Sequence, residues 1–159
     1  MTDKLTGLYN RRKLDELLDE ELIRARRYKV EVSIIMLDID HFKRVNDTYG
    51  HGVGDDVLVG MARLLREHTR DADALGRLGG EEFVVVCRHS NAEACLQSAI
   101  KLREAIAAHH FPGVGQVTSS FGIASCRPDD TAATLLARAD AALYRAKYAG
   151  RNRVEPEHA

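Results

Sequence analysis

The stretch Gly79-Gly80-Glu81-Glu82-Phe83 lies between two apolar segments and determines how the chain folds around it. Ala74 and Leu75 precede it, and the run from Phe83 to Val86 follows, with the composition of two buried strands. Because glycine adopts backbone conformations that other residues avoid, Gly79-Gly80 predicts a tight turn between these strands. The two carboxylates that follow the glycines would then lie at one end of a β-hairpin.

Carboxylates at such a turn favour a site for a hard cation and phosphate. An acid between buried strands loses solvation unless it meets a cation, and oxygen ligands suit Mg2+ with phosphate better than Zn2+. An ordinary hairpin turn with two solvated glutamates explains these four residues at least as well when they are taken alone. A second, independent signal is therefore needed.

That signal comes from the apolar run Val32 to Leu37, which has the length and composition of a buried strand and ends in Asp38-Ile39-Asp40. Two strands of one sheet that deliver acids to the same end would supply ligands for one or two Mg2+. Water and phosphate oxygens would complete the coordination. The sequence thus predicts a metal and phosphate site.

Groups that suit a nucleotide follow at short spacing. Lys43 lies five residues after Asp38, at the predicted start of a short helix, where its ammonium would reach phosphates held by the metal. Asn46 and Asp55 offer an amide and a carboxylate. Guanine presents N1–H and N2–H2 donors beside its O6 acceptor, so this pair favours guanine over adenine. Each residue also suits a plain role as a helix cap or turn former.

Six separated motifs resemble, in order and spacing, the GGDEF domain of diguanylate cyclases in its glutamate-containing form. They are Asp3 to Arg12, Asp38 to Lys43, Asn46-Asp47, Tyr49 to Asp55, Arg77 to Phe83, and Ala139-Asp140 through Gly150-Arg151-Asn152. The resemblance covers nearly the whole chain, and six motifs are far more specific than any one of them.

The resemblance implies a role for each matching residue. Mg2+, two ions per active site with Mn2+ able to substitute, is expected on Asp38, the backbone carbonyl of Ile39 and Glu81, with Glu82 beside the metals. Three basic residues match the family's triphosphate contacts: Lys43, Lys147 and Arg151. Three other residues match the family's guanine pocket: Asn46, His51 and Asp55. Without the resemblance, Lys147 and Arg151 would equally suit the basic end of a helix, favoured by the helix dipole.

The implied reaction condenses two GTP into cyclic di-GMP with release of two pyrophosphates. Each domain of this family holds one GTP, so the two reacting nucleotides would face each other across a two-fold axis in a homodimer. The metal ions would activate the 3′-hydroxyl and neutralise the leaving pyrophosphate.

Arg70 and Asp73 match the family's RxxD site, at which cyclic di-GMP inhibits its own synthesis. Arginine can fork onto guanine O6 and N7, while the carboxylate accepts from N1 and N2. On its own, so short a motif equally describes a solvated ion pair. Lys101 stands at the position of a supporting arginine, and a point charge there would weaken product binding because it replaces a planar contact.

Two other functions remain open. The first is a module that binds cyclic di-GMP without catalysis, although the retained acids and Lys43 argue against it. The second is another two-metal nucleotidyl transferase or a mononucleotide cyclase, against which Asn46 and Asp55 argue.

Bulk properties fit one catalytic domain spanning residues 1–159. A chain of this length buries about 70% of its unfolded surface. Lys and Arg number 23 against 24 acids, so the net charge of -1 disfavours nucleic-acid binding. No apolar run is long enough to form a transmembrane helix. The three cysteines form no CxxC pair. We expect a cytoplasmic domain excised from a longer signalling protein, which itself could be membrane-anchored.

Helical and strand periodicities alternate along the chain. Helices are predicted at 11–28, from near Gly54, at 92–108 and at 131–148, and strands are predicted to end at Asp38 and to cover 75–78, 83–86, 117–124 and 151–155. This order predicts an α/β fold, in the α+β sense, with a mostly antiparallel central sheet surrounded by helices. The resemblance narrows it to the nucleotide-cyclase and polymerase-palm type of fold.

Overall fold

The computed structural model describes residues 1–158 and contains five helices and seven strands in that range. The helices are α1 (Arg11–Tyr28), α2 (Phe42–Tyr49), α3 (His51–Glu67), α4 (Ala92–Ala108) and α5 (Ala132–Tyr148). The strands are β1 (Val32–Ile39), β2 (Ala74–Gly79), β3 (Glu82–Arg88), β4 (His110–Phe111), β5 (Gly115–Gln116), β6 (Ser119–Ser125) and β7 (Val154–Pro156).

Five strands form one sheet in the order β2-β3-β1-β6-β7, and β4 pairs with β5 in a separate two-stranded hairpin. All pairs in the main sheet are antiparallel except β6 with β7, which are parallel. The mostly antiparallel sheet surrounded by helices, predicted from the sequence, is therefore confirmed. Strand β1 is central and buried along its whole length, as its uninterrupted apolar composition indicated.

The sheet separates two apolar cores because successive side chains of a strand point to opposite faces. On one face, Ile35, Leu37 and Phe83 pack with α3 and α4. On the other face, Ile34 and Val84 pack with α1 and α5. The apolar residues that recur at helical spacing along α1, α3 and α5 are buried, for example Leu14 and Leu18, Leu58 and Met61, and Leu135 and Ala139.

Three helices begin at polar residues that cap their free backbone N–H groups. The side chain of Asn10 accepts from Lys13 N at 2.9 Å, and that of Asn91 accepts from Ala94 N at 2.8 Å. Thr131 and Thr134 form a reciprocal capping box at the start of α5. These caps explain why α1 and α4 have the predicted bounds and why α5 begins one residue later than predicted.

Three elements begin two or three residues away from their predicted starts. Helix α3 begins at His51 instead of near Gly54, and β6 begins at Ser119 instead of Val117. Strand β7 begins at Val154, because Arg151 and Asn152 have positive φ angles of 63° and 46° that no strand accommodates. The β4-β5 hairpin was not predicted, since strands of two residues leave no periodic signal.

No helix within residues 1–158 is both long enough and apolar enough to cross a membrane. Of the three free cysteines, Cys87 and Cys95 are buried and Cys126 is half-buried.

Candidate active site

The carboxylates that end β1 and begin β3 lie side by side. Asp38 pairs directly with Glu82 in the antiparallel register of these strands. One residue further along, Ile39 N donates to the carbonyl oxygen of Glu81 at 3.3 Å. The sheet thus brings together the two acidic segments that the sequence predicted at one end of it.

The turn that carries Glu81 depends on its two glycines. Gly79 has φ 150° and Gly80 has φ 49°, a conformation that side chains resist, and neither position is blocked by neighbouring atoms. Arg77 stabilises the turn, because its Nε and Nη2 donate to the carbonyl oxygen of Gly80 at 3.0 and 2.8 Å. Its Nη1 also donates to both oxygens of Asp3, at 3.0 and 3.2 Å. The N-terminal segment therefore supports the turn through Arg77.

These elements surround an open cavity of about 490 Å3. Six residues predicted for metal or phosphate contacts line it: Asp38, Ile39, Lys43, Glu81, Lys147 and Arg151. They come from β1, α2, the hairpin turn, α5 and the segment after α5, so segments more than 100 positions apart in sequence converge here. The predicted guanine readers do not line this cavity.

Asp38 is 4% exposed, and its carboxylate accepts a hydrogen bond from the ammonium of Lys147. Burial raises the pKa of Asp38 from the ordinary 3.8 to about 6, and the carboxylates of Glu81 and Glu82 add to this rise. The ion pair with Lys147 opposes it without cancelling it. The site thus concentrates negative charge that one lysine does not neutralise.

Glu82 shows the same excess of negative charge. Burial raises its pKa above the ordinary value, and the nearby carboxylate of Asp140 adds to the effect, whereas Lys147 lowers it. Asp140 lies on α5 and was matched in sequence only as part of a motif. A cation bound between these carboxylates would relieve their repulsion.

Lys43 is the second residue of α2 and extends into solvent. Its ammonium lies 3.2 Å from Asp47 Oδ2, one turn later on the same helix. Since the Lys43 side chain is 90% exposed, this pair contributes little to stability, and the ammonium is free to take another partner.

The predicted guanine readers lie at the junction of α2 and α3. Asn46 is half-buried near the end of α2, while His51 and Asp55 are exposed in the first turns of α3. A Cβ on Gly54 would lie 1.9 Å from Asn46 Oδ1. Only glycine at position 54 allows the Asn46 amide to occupy this place against α3.

Within residues 1–158, no three His, Cys, Asp or Glu side chains converge as a complete metal cage. The donors present are few, and all are oxygens: the carboxylates of Asp38 and Glu81 and the backbone of Ile39. This set fits Mg2+, which is usually held by one or two carboxylates and keeps water and phosphate oxygens as its other ligands.

Asp40 also ends β1, but its carboxylate is already fully engaged. Oδ1 accepts from Ser120 Oγ at 2.6 Å, and Oδ2 accepts from Thr118 Oγ1 at 2.7 Å and Asn152 N at 3.0 Å. From the sequence alone, Asp40 counted only as one more acid at a strand end. Its partners are 78 to 112 positions away, so no local signal identified this role.

Arg70 and Asp73 form a second polar cluster at the opposite end of β3. Arg70 Nη2 donates to Asp73 Oδ1 at 2.8 Å, to the Arg88 carbonyl at 2.7 Å and to Ser90 Oγ at 3.1 Å. Strand β3 has seven residues, which places this cluster about 20 Å from Glu82. Lys101 is exposed on α4. The cluster is therefore separate from the cavity.

Comparison with known proteins agrees with this geometry. Residues 1–153 match the family model described as "Diguanylate cyclase, GGDEF domain". The chain is 47% identical over 158 residues to diguanylate cyclase DgcP of Pseudomonas aeruginosa, covering 98% of this chain and 24% of that protein. It is 38% identical to diguanylate cyclase DgcZ of Escherichia coli, covering 95% of this chain and 51% of that protein. The chain thus spans about half or less of these relatives.

Solved structures show the same fold. The GGDEF domain of DgcB from Caulobacter crescentus, solved in complex with c-di-GMP, superposes with a TM-score of 0.94 at 33% identity, covering 99% of this chain and 93% of that one. The active GGEEF domain of a diguanylate cyclase from Vibrio cholerae gives a TM-score of 0.90 at 36% identity, covering 94% and 97%. The chain belongs to the GGDEF domain family of diguanylate cyclases.

Proposed function

We propose that this domain condenses two molecules of GTP into cyclic di-GMP and releases two pyrophosphates. The observation that carries the proposal is the pairing of Asp38 with Glu82 at the end of the sheet, beside a cavity that Lys43, Lys147 and Arg151 also line. Carboxylates and cations in one open cavity suit a metal-bound triphosphate. The family membership and the named relatives support the same reaction.

The carboxylates of Asp38 and Glu81 and the carbonyl of Ile39 would hold Mg2+, two ions in each active site, with Glu82 beside them. Mg2+ would lower the pKa of the attacking 3′-hydroxyl and neutralise charge on the leaving pyrophosphate. The excess negative charge that raises the pKa of Asp38 and Glu82 supports this assignment.

Three cations would contact the triphosphate: Lys43, Lys147 and Arg151. Lys147 is bonded to Asp38 in the free domain, so its ammonium would leave that carboxylate for the phosphates as Asp38 takes up the metal. Lys43 would likewise exchange its weak pair with Asp47 for a phosphate contact. Each exchange keeps the charges paired before and after GTP binds.

Asn46 and Asp55 would read the guanine edge, and His51 would shape the same pocket. Asp55 would accept from N1–H and N2–H2, while the Asn46 amide would bridge the neighbouring polar atoms. The close packing of Asn46 on Gly54, one residue before Asp55 in α3, supports this reading.

Turnover would require a homodimer, because one cavity holds one GTP and the reaction joins two. The 3′-hydroxyl of each GTP would attack the α-phosphate of the GTP in the partner domain, across a two-fold axis. Cyclic di-GMP would also bind at Arg70 and Asp73, with Lys101 as a weaker third contact, and inhibit the enzyme. The separation of this cluster from the cavity supports a regulatory site.

The test is to dimerise the domain by fusion to a parallel coiled coil, incubate it with Mg2+ and either GTP or ATP, and identify the product by mass. Cyclic di-GMP from GTP alone supports the proposal. Binding of cyclic di-GMP without turnover would instead favour a binding module. A mononucleotide product, or equal use of ATP, would favour another nucleotidyl transferase or cyclase.

A further inference from the structure

Asp40 is a buried carboxylate whose charge is balanced by hydrogen bonds. It is 6% exposed, and no ion pair involves it within residues 1–158. Three donors meet its two oxygens instead: the hydroxyls of Thr118 and Ser120 and the backbone N–H of Asn152. A buried charge is retained only when such bonds offset its desolvation, which makes each of these contacts strong.

The contact to Asn152 holds a strained turn. Gly150, Arg151 and Asn152 have successive φ angles of 124°, 63° and 46°. Arginine avoids this left-handed region, at a cost of the order of 1 kcal/mol, whereas asparagine tolerates it better. Such a turn persists only when surrounding bonds hold it in place.

Three bonds do so. Arg151 N donates to the Ala146 carbonyl at 3.0 Å, which ties the turn to the end of α5. Asn152 N donates to Asp40 Oδ2, which ties it to the end of β1. The Asn152 side chain accepts from Arg103 Nη1 at 3.1 Å, but that contact is exposed. Asp40 therefore provides the buried anchor of the turn.

Arg151 sits between these anchors and lines the cavity beside Asp38. We propose that Asp40 is a positioning residue, which holds the turn at residues 150–152 so that Arg151 faces the triphosphate. The end of β1 then serves both halves of the site: Asp38 for the metal, and Asp40, two residues later, for a phosphate-binding arginine. This inference rests on the proposed function of Arg151 as a phosphate contact.

The first experiment compares Asp40→Ala with Asp40→Asn in the full chain, dimerised as in the activity assay. We expect Asp40→Ala to raise KM for GTP about tenfold, the value of one charge-assisted hydrogen bond to phosphate, with a smaller change in kcat. Asp40→Asn should keep most of the wild-type KM. Its amide oxygen can accept from Asn152 and Thr118, while its NH2 donates to Ser120 Oγ.

Thr118→Val is the matched control, because it removes one bond to Asp40 and leaves the bond to Asn152. We expect it to lower stability without raising KM. Equal increases in KM for Thr118→Val and Asp40→Ala would mean that Asp40 acts only by joining β1 to β6, and would overturn the proposal. If Asp40→Ala does not fold, Asp40→Ser takes its place, since its short side chain removes the oxygen that reaches Asn152.

The second experiment asks whether Asp40 acts through Arg151. Arg151→Ala should raise KM for GTP, and adding Asp40→Ala to it should raise KM no further. Independent, additive increases would overturn the proposal, as would a folded Asp40→Ala protein with the wild-type KM.

The third experiment does not depend on turnover. Amide hydrogen exchange in the nucleotide-free chain should be faster at residues 150–153 in Asp40→Ala than in Thr118→Val or Asp40→Asn. Unchanged exchange at these residues would show that Asp40 does not hold the turn in place. If the wild type makes no cyclic di-GMP, the proposed function fails, but exchange and direct GTP binding by calorimetry still decide whether Asp40 positions Arg151.

Discussion

The ammonium of Lys147, on α5, donates a hydrogen bond to the carboxylate of Asp38, on β1. The two residues are 109 positions apart in the sequence. This ion pair opposes the effect of burial on the pKa of Asp38. It compensates only part of the cost of burying Asp38, whose pKa stays raised at about 6. The free site is thus electrostatically unfavourable until a stronger cation binds, which makes ligand binding and domain stability interdependent.

Asp38→Asn should therefore stabilise the nucleotide-free domain at neutral pH. Between pH 3.8 and about 6, the folded protein keeps a proton on Asp38 that the unfolded chain has released. The free energy of unfolding of the wild type therefore falls as pH rises through this window, by on the order of 3 kcal/mol from this group. Asparagine does not titrate, so the unfolding free energy of Asp38→Asn does not fall in this way. The Tm of the variant should therefore exceed that of the wild type by an amount that grows from pH 4 to pH 7.

Thermal unfolding of both proteins across this pH range, without Mg2+ or GTP, measures the effect. Adding saturating Mg2+ and GTP should reverse the order of stability at pH 7, because only the wild type binds the metal fully. A Tm difference that is constant with pH would show that the pKa of Asp38 is not raised in the folded domain.

Glu81→Gln should abolish turnover and leave the fold intact. The side chains have nearly the same shape, but the amide lacks the charge expected to bind Mg2+. Cyclic di-GMP formation should fall at least a hundredfold, with an unchanged circular dichroism spectrum and Tm close to the wild type. Glu104→Gln, an exposed glutamate on α4, is the matched control and should retain full activity. Undiminished product formation by folded Glu81→Gln would remove Glu81 from the metal site.

Gly54→Ala should weaken GTP binding by displacing Asn46. The new Cβ would lie 1.9 Å from Asn46 Oδ1, so the amide must move out of its present place. We expect KM for GTP to rise about tenfold with little change in the helix, since alanine favours helix formation. Gly52→Ala, two residues earlier in the same helix, has no atom within 4 Å of its new Cβ and should leave KM unchanged. Equal behaviour of the two variants would show that the position of Asn46 does not affect nucleotide binding.

Local sequence patterns were sufficient to predict most of the fold. Apolar periodicity gave α1 and α4 with their observed bounds, and Gly79-Gly80 predicted the β2-β3 hairpin. The start of β7 was wrong because the left-handed turn at Arg151 and Asn152 is imposed by distant hydrogen bonds, not by local propensity. Tertiary contacts of this kind leave no periodic signal.

The candidate site divides in the same way. Acids beside two buried strands predicted that Asp38 and Glu81 would lie at the same end of the sheet, and both line the cavity there. The two partners found only in the structure are the Lys147 pair with Asp38 and the Asp40 contact to Asn152, both spanning more than 100 positions. Neither can be deduced from spacing, because each depends on how α5 and the segment after it pack on the sheet.

Asp55→Ala should mainly impair recognition of guanine. An unsatisfied guanine edge penalises the complex before chemistry begins, so KM for GTP should rise by about tenfold or more, while discrimination against ATP narrows. Asp56→Ala, the next exposed residue of α3, supplies a control of equal charge. Calorimetric titration with GTP and ATP measures both effects. If GTP affinity is unchanged and ATP is still rejected, another residue reads the base.

Arg70→Ala should relieve product inhibition without lowering the initial rate. Arg70 lies at the far end of β3 from Glu82, so its loss leaves the carboxylates of the cavity untouched. It does remove bonds to Asp73, the Arg88 carbonyl and Ser90, which should lower the free energy of unfolding by about 1 kcal/mol. Arg63→Ala, an exposed arginine of α3, controls for the loss of charge.

Progress curves with and without added cyclic di-GMP separate the possible outcomes for Arg70→Ala. Product bound at Arg70 and Asp73 would hold two domains where their GTP sites cannot meet, so inhibition should disappear when the guanidinium is removed. Lys101→Arg should act in the opposite direction and strengthen inhibition, because a planar guanidinium can contact a base with two hydrogen bonds. Equal inhibition of the wild type and Arg70→Ala would exclude this cluster as the regulatory site. A matching loss of initial rate would instead mean that Arg70 supports folding or catalysis.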